Sequence, residues 1–309
     1  ITTRLVGSEM CIRDRIKTDE MHRIKNNRAG EEKMRFQYKR LVGYIAGFML
    51  FYAPFAFFQK VVYYLYTGKW SEWTVHHFCL RIQLEHILDR SILDAAFIST
   101  SFLLLLLAAA FLCGPFFCGR LCPAGALTEY LSKLLPPRWQ IQWENYVEIA
   151  PLRYGMLAGY VLLPFLGAML ACAYCNFYIF DLLLNFVSRG YLVSLSSSMM
   201  LTAFLMLVVF GLFTRGGRGY CNFLCPVGAV QNLVYWLGRK LPFVSALQID
   251  RQRCIGCGKC ARSCPMRSMK IQDKKAAYNV HNCILCGVCT EVCPVDAIHY
   301  GRKKEGEGV

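Results

Sequence analysis

The sequence predicts a multi-pass α-helical membrane protein with four transmembrane helices, followed by a small α+β domain at its C-terminal end. Three observations carry this. Hydrophobic residues make up 55% of the 309, and mean hydropathy is +0.33, too apolar for an ordinary soluble domain. Four stretches approach the roughly 20 apolar residues that a bilayer span takes. Eight of the 17 cysteines lie in one short run that is written twice, after the last apolar stretch.

Residues 1–33 are read as an N-terminal arm outside the fold, artefactual or disordered. Leu5 to Arg15 resembles a translated sequencing adapter, so the start is expected later, at Met21 or Met34. The membrane domain is expected over 34–240, with spans near 41–59, 93–113, 154–173 and 199–214. The apolar piece 177–187 is short and carries Asp181 and Asn185, so it is read as an interfacial helix. Gly43/Gly47 and Gly155/Gly159 are G-x-x-x-G pairs, read here as glycines common in membrane helices. A 29-residue repeat over 247–301 is expected to form the α+β domain, with strands at 247–250, 270–272, 278–280 and 298–300. The tail 302–309 is charged and Gly-rich, hence disordered.

Orientation follows from Lys and Arg. Lys33, Arg35, Lys39 and Arg40 end the arm. Arg120, Lys133, Arg138 and Arg153 sit on the second loop, and Arg215, Arg218, Arg239 and Lys240 follow the fourth span. Both termini and the C-terminal domain are therefore expected on the cytoplasmic side of the inner membrane, in contact with lipid. The net charge of +15 is distributed in this way and not as a phosphate-reading surface, which argues against nucleic acid as a partner. Neither a Walker A loop nor a G-x-G-x-x-G turn after a strand occurs.

The repeated run is Cys254, Cys257, Cys260, Cys264-Pro265 and Cys283, Cys286, Cys289, Cys293-Pro294. Each reads C-x2-C-x2-C-x3-C-P, the spacing of bacterial-type 2[4Fe-4S] ferredoxins, in which the fourth Cys ligates the other cluster. Cys254, Cys257, Cys260 and Cys293 are thus expected to hold one cluster. Cys283, Cys286, Cys289 and Cys264 are expected to hold the second. Structural zinc is the alternative, but its ligands usually come as separated C-x2-C pairs. Gly256, Gly258 and Gly287 would let the backbone wrap each core and donate N–H groups to sulfur.

A second repeat, C-x3-C-P-x-G-A, runs from Cys118 through Cys122 and Pro123, and again from Cys221 through Cys225 and Pro226. The four thiols would meet at one face and form a further thiolate site, for a cluster or another thiophilic metal, or for thiol–disulfide cycling. A helix turn closed by small buried residues is the alternative. Cys172 and Cys175, in C-A-Y-C, are left open between a far-side disulfide or metal pair and helix packing. Cys79 and Cys113 are read as packing residues. His76, His77 and His86, near Glu85, are read as interfacial.

In these residues the chain resembles the membrane-bound polyferredoxins, which include NapH-type subunits and the membrane half of NosR-type proteins. The resemblance covers about 41–301 and lacks the NosR-type N-terminal flavin region. It implies electron transfer between the quinone pool and a respiratory redox partner protein, as a subunit of a quinol dehydrogenase complex, with two [4Fe-4S] clusters and quinone as cofactors. The alternative is an assembly or regulatory factor that uses its clusters to reduce or sense something during maturation of a respiratory metalloenzyme. A metal-transport protein is a third reading, disfavoured by the scarcity of charge inside the spans.

Overall fold

The computed structural model describes residues 30–32, 34–52, 55–70, 93–166 and 197–302. The chain divides into two compact units, 1–43 and 44–309. In the first, residues 30–32 and 34–43 are helical.

The second unit opens with a helix over 44–51 (α1), then α2 at Phe57–Thr67 and α3 at Leu93–Cys113. Two helix pairs follow the same plan. A five-residue helix, α4 (Phe116–Arg120), breaks and restarts as α5 (Pro123–Leu131). Later α8 (Gly219–Phe223) breaks and restarts as α9 (Pro226–Gly238). Between them lie α6 (Ile149–Leu162) and α7 (Ser197–Phe204). Proline explains the restart, because its missing N–H costs nothing at the first helical position and its fixed φ is already helical. Helix α9 packs along α3, and the Gly238 backbone comes so close to the Phe111 carbonyl that a Cβ there would lie 2.4 Å from the oxygen.

No helix among the described residues is long and apolar enough to cross a membrane, and the four-span expectation is corrected on that finding. The first stretch does not run through: α1 stops at 51, and Ala56 adopts a left-handed φ of 43° before α2. The third ends its α-helix at Leu162 and tightens into a 3-10 turn at Leu163–Leu166. The fourth is divided between the eight-residue α7 and a π-helical stretch at Leu205–Leu212. The second forms the helix α3 at Leu93–Cys113. The piece 177–187 lies outside the described residues, as do residues 1–29 of the arm and the tail from 303.

The C-terminal portion forms two antiparallel ribbons. Strand β1 (Ser245–Ile249) pairs β4 (Ile298–Arg302), and β2 (Met269–Gln272) pairs β3 (Lys275–Tyr278). Helices α10 (Lys259–Ser263) and α11 (Val288–Glu291) lie between them in sequence and pack on each other. Strand β3 starts earlier than the sequence suggests, because Asp273 and Lys274, at φ 51° and 59°, make a two-residue turn without glycine. The two halves of the repeat share their left-handed residues at the same 29-residue offset: Gly256 with Leu285, Gly258 with Gly287, and Arg267 with Asp296.

Candidate functional site

Three cavities are lined by cysteines, two of them by four and the inner one by five. The outer one has Cys254, Cys257, Cys260 and Cys293, in a space of about 20 Å³. The inner one has Cys264, Cys283, Cys286 and Cys289, with about 140 Å³. Each run thus lends its fourth cysteine to the other's cavity, the crosswise grouping that the spacing predicts. The short helices do this lending. Helix α10 carries Cys260 at the outer cavity and ends at Cys264 of the inner one, while α11 carries Cys289 of the inner cavity and leads to Cys293 of the outer. Gly258 and Gly287 start these helices at φ 72° and 80°, a conformation that glycine adopts without steric cost. The Ala276 and Ala297 N–H groups donate to Cys254 Sγ and Cys293 Sγ, both at 3.3 Å, so these hydrogen bonds to sulfur come from alanines beyond the cysteine loops.

The third cavity, also about 20 Å³, is lined by Cys118, Cys122, Cys221 and Cys225. The thiols of each C-x3-C pair are not one turn apart on a single helix. Cys118 lies in α4 and Cys122 caps α5 at φ −76°, while Cys221 lies in α8 and Cys225 caps α9 at φ −71°. The hydrogen bonds match as well. Cys122 N–H donates to Phe117 O at 2.9 Å, and Cys225 N–H to Tyr220 O at 3.1 Å. Tyr52 Oη lies 3.6 Å from Cys122 Sγ. Tyr44 Oη donates to Gly119 O at 2.9 Å.

Burial, then the neighbouring thiols, hold Cys118 well above the usual thiol range, and the same causes push Cys225 up to about 12. Burial pushes Cys283 up to about 12 as well. Thiols so placed keep their protons until a cation displaces them, which is how loading an iron-bearing core proceeds. Among the described residues, no three of His, Cys, Asp and Glu close around a single ion. An all-sulfur donor set around a cavity fits a polynuclear core better than one zinc, whose four sulfurs stand about 2.3 Å from the metal.

Two functional residues escape sequence reasoning. Arg153 and Arg218 look like loop charges that orient spans, yet they are 1% and 0% exposed and both line the third cavity. Arg218 Nε donates to Glu129 Oε2 at 2.9 Å, Nη1 to Cys118 O at 2.8 Å and Nη2 to Tyr44 Oη at 2.9 Å. Arg153 Nη1 donates to His281 O at 2.6 Å and Nη2 to Asn232 Oδ1 at 3.4 Å, while its buried Nε has no partner. The signal available beforehand was the repeated motif glycine: a Cβ on Gly125 would stand 2.5 Å from Arg218 Nη1, and one on Gly228 2.7 Å from Arg153 Nη2.

The cavities are close neighbours. Ile284 lines both the third and the inner cavity. Gly119 brings α4 against Ile284 and Cys286, where a Cβ would lie 2.2 Å from the Ile284 carbonyl. Asn222, at the matching position of the second copy, donates to Met266 O at 3.3 Å. Asn232 Nδ2 donates to Val280 O at 2.5 Å and Cys283 O at 2.9 Å. Cys113, read as a packing residue, is exposed and lines the inner cavity. Cys11, Cys79, Cys172, Cys175, His76, His77, Glu85 and His86 lie outside the described residues.

A family of 4Fe-4S dicluster domains matches residues 246–294. A second family, described as a 4Fe-4S binding domain, matches twice, at 95–142 and 198–243, once around each C-x3-C-P motif. The chain is similar to a candidate electron transport protein, YccM, of Escherichia coli (strain K12), at 26% identity over 156 residues. That match covers 48% of this chain and 40% of the relative's length. No solved structure matches. The chain carries 4Fe–4S binding domains of the iron–sulfur electron-transfer kind.

Proposed function

We propose that this chain is a one-electron relay between the quinone pool and a redox partner protein, acting as the electron-transfer subunit of a quinol dehydrogenase complex at the cytoplasmic face of the inner membrane. The observation that carries the reading is the set of three thiol-lined cavities joined by common residues or helices. Ile284 separates the third from the inner one, and α10 and α11 bridge the inner to the outer. Cys254, Cys257, Cys260 and Cys293 hold the outer [4Fe-4S] cluster, and Cys264, Cys283, Cys286 and Cys289 the inner. Cys118, Cys122, Cys221 and Cys225 hold a further cluster, in keeping with the family description that covers both motifs. A bound cubane supplies a centre that accepts or gives one electron with little rearrangement of its ligands.

The chain's own residues do the rest. The buried thiols exclude water, and the Ala276 and Ala297 N–H groups, aimed at ligand sulfurs, stabilise added negative charge there. At the outer end Cys257 is exposed, which suits exchange with a soluble partner. Exposed apolar side chains on the helices, among them Leu65 at 78%, Leu104 at 60% and Leu105 at 54%, suit contact with lipid. The C-x3-C-P pair beside a double ferredoxin run supports a NapH-type or NosR-type relay within the broader class.

The experiment is anaerobic purification with iron and labile-sulfide counting, followed by mixing the oxidised protein with a reduced quinol. Three cubanes' worth of iron and cluster bleaching on a catalytic timescale are expected. Less than two cubanes' worth sinks the cluster assignment. Full loading with no reduction by quinol sinks the quinone link and returns the assembly-factor reading.

A further inference from the structure

The third cavity is ringed by four thiols whose charge, once they are deprotonated around an iron–sulfur core, stays negative in either oxidation state. Such a site needs positive charge nearby, and the two arginines that line it differ in how far they are already neutralised. Arg218 makes a salt bridge with Glu129 at 2.9 Å, deep inside the protein. Arg153 has no carboxylate partner among the described residues. Its two bonds go to a neutral carbonyl and a neutral amide, and its Nε has none. An uncompensated buried cation costs several kcal/mol, so a fold that keeps one is stable only with an anion beside it. Arg153 lines the same cavity as Cys118, Cys122, Cys221 and Cys225, whose sulfurs would supply that anion once they hold a core. The seat is also built: Gly228, in the C-P-x-G part of the second motif, leaves the space where Nη2 lies, with Cys225 Sγ 3.8 Å from the same Cβ position.

We infer that Arg153 is the counter-cation of the four-cysteine site, a positioning residue that stabilises the added electron there and so sets the potential of that site relative to the ferredoxin pair. This rests on the cluster assignment proposed above for Cys118, Cys122, Cys221 and Cys225. It goes further by giving one residue outside the motifs control over the order of electron flow. Arg153 also holds His281 O, two residues before Cys283, so the same guanidinium ties this site to the inner cavity's ligand loop.

The test is a spectroscopic redox titration of the full chain as wild type, Arg153→Gln, Arg153→Lys and Gly228→Ala, each with an iron and sulfide count. In Arg153→Gln the reduced-to-oxidised ratio of this site at a fixed poise should fall at least tenfold, which is about 59 mV for one electron. The two ferredoxin signals should stay in place. Arg153→Lys, which keeps the charge, should stay near wild type. Gly228→Ala, which pushes the guanidinium end aside, should move in the same direction by less. Loss of iron from this site in Arg153→Gln but not in Arg153→Lys carries the same meaning. An unmoved potential in Arg153→Gln with iron retained overturns the inference, as does an Arg153→Lys protein that behaves like Arg153→Gln. A wild type with only two cubanes' worth of iron overturns both this and the third-site assignment, whereas a loaded site that ignores Arg153 overturns this alone.

Discussion

Cys257 is an exposed thiol at the rim of the outer cavity, and Cys286 is a buried one in the wall of the inner. Replacing either by Ser keeps the shape but removes the soft thiolate that iron prefers. Iron should fall by one cubane's share in each single variant and by two in the double, with the paramagnetic signal of the matching centre lost. Gly119 tests the contact between the C-x3-C-P motif and the inner cavity. An alanine there would put Cβ 2.2 Å from the Ile284 carbonyl oxygen, which is backbone and cannot swing away. Gly119→Ala should cost about 1–3 kcal/mol of stability by overpacking. It should also slow electron exchange between the two sites, measured by flash reduction. The gathering of these cysteines around common cavities was legible in the sequence because their spacing repeats. Arg153 and Arg218 were not, because a basic residue next to an apolar stretch reads as a topology signal until the helices fold over it.

Among the elements, α10 and α11 depend on single backbone positions. Gly258 and Gly287 enter them left-handed, and the φ values of 72° and 80° strain any residue with a Cβ. Gly258→Ala and Gly287→Ala should each lower stability by about 1–2 kcal/mol, read from the thermal midpoint of the loaded protein. The effect should be similar in both, since the repeat halves share these angles. Leu285 shows that the left-handed angle can also be met without glycine. It stands where the other half has Gly256, and its side chain is buried, with a Gly114 Cβ position only 2.2 Å from Cδ1. Strand positions were mostly legible, apart from the Asp273–Lys274 turn, which lacks the glycine that usually marks one. The spans were misread for a physical reason. Apolar composition gives the hydrophobicity of a segment but does not mark helix breaks such as the one before α2 or the π stretch at Leu205–Leu212.

At the scale of the molecule, the C-terminal portion has little to hold it apart from its ligands. Its two sheets are two-stranded, a size that is marginal in water without further support. Chelating the iron under denaturant-free conditions should therefore loosen residues 245–302 first, seen as rapid amide exchange or proteolysis there while α3 and α9 stay protected. Equal protection of both regions after chelation would show that packing against α9, through Asn232 and Tyr235, suffices alone.

The lending of cysteines between the two runs has one more consequence, for biogenesis. The cavity begun by Cys254 is closed by Cys293, which the ribosome makes 39 residues later. The inner pocket has its fourth ligand once Cys289 is made, whereas the outer one waits for Cys293. Completion of the outer centre by an iron–sulfur donor must then wait until both runs have been made, and a chain cut short before Cys293 offers the donor a three-legged nest at its outer end.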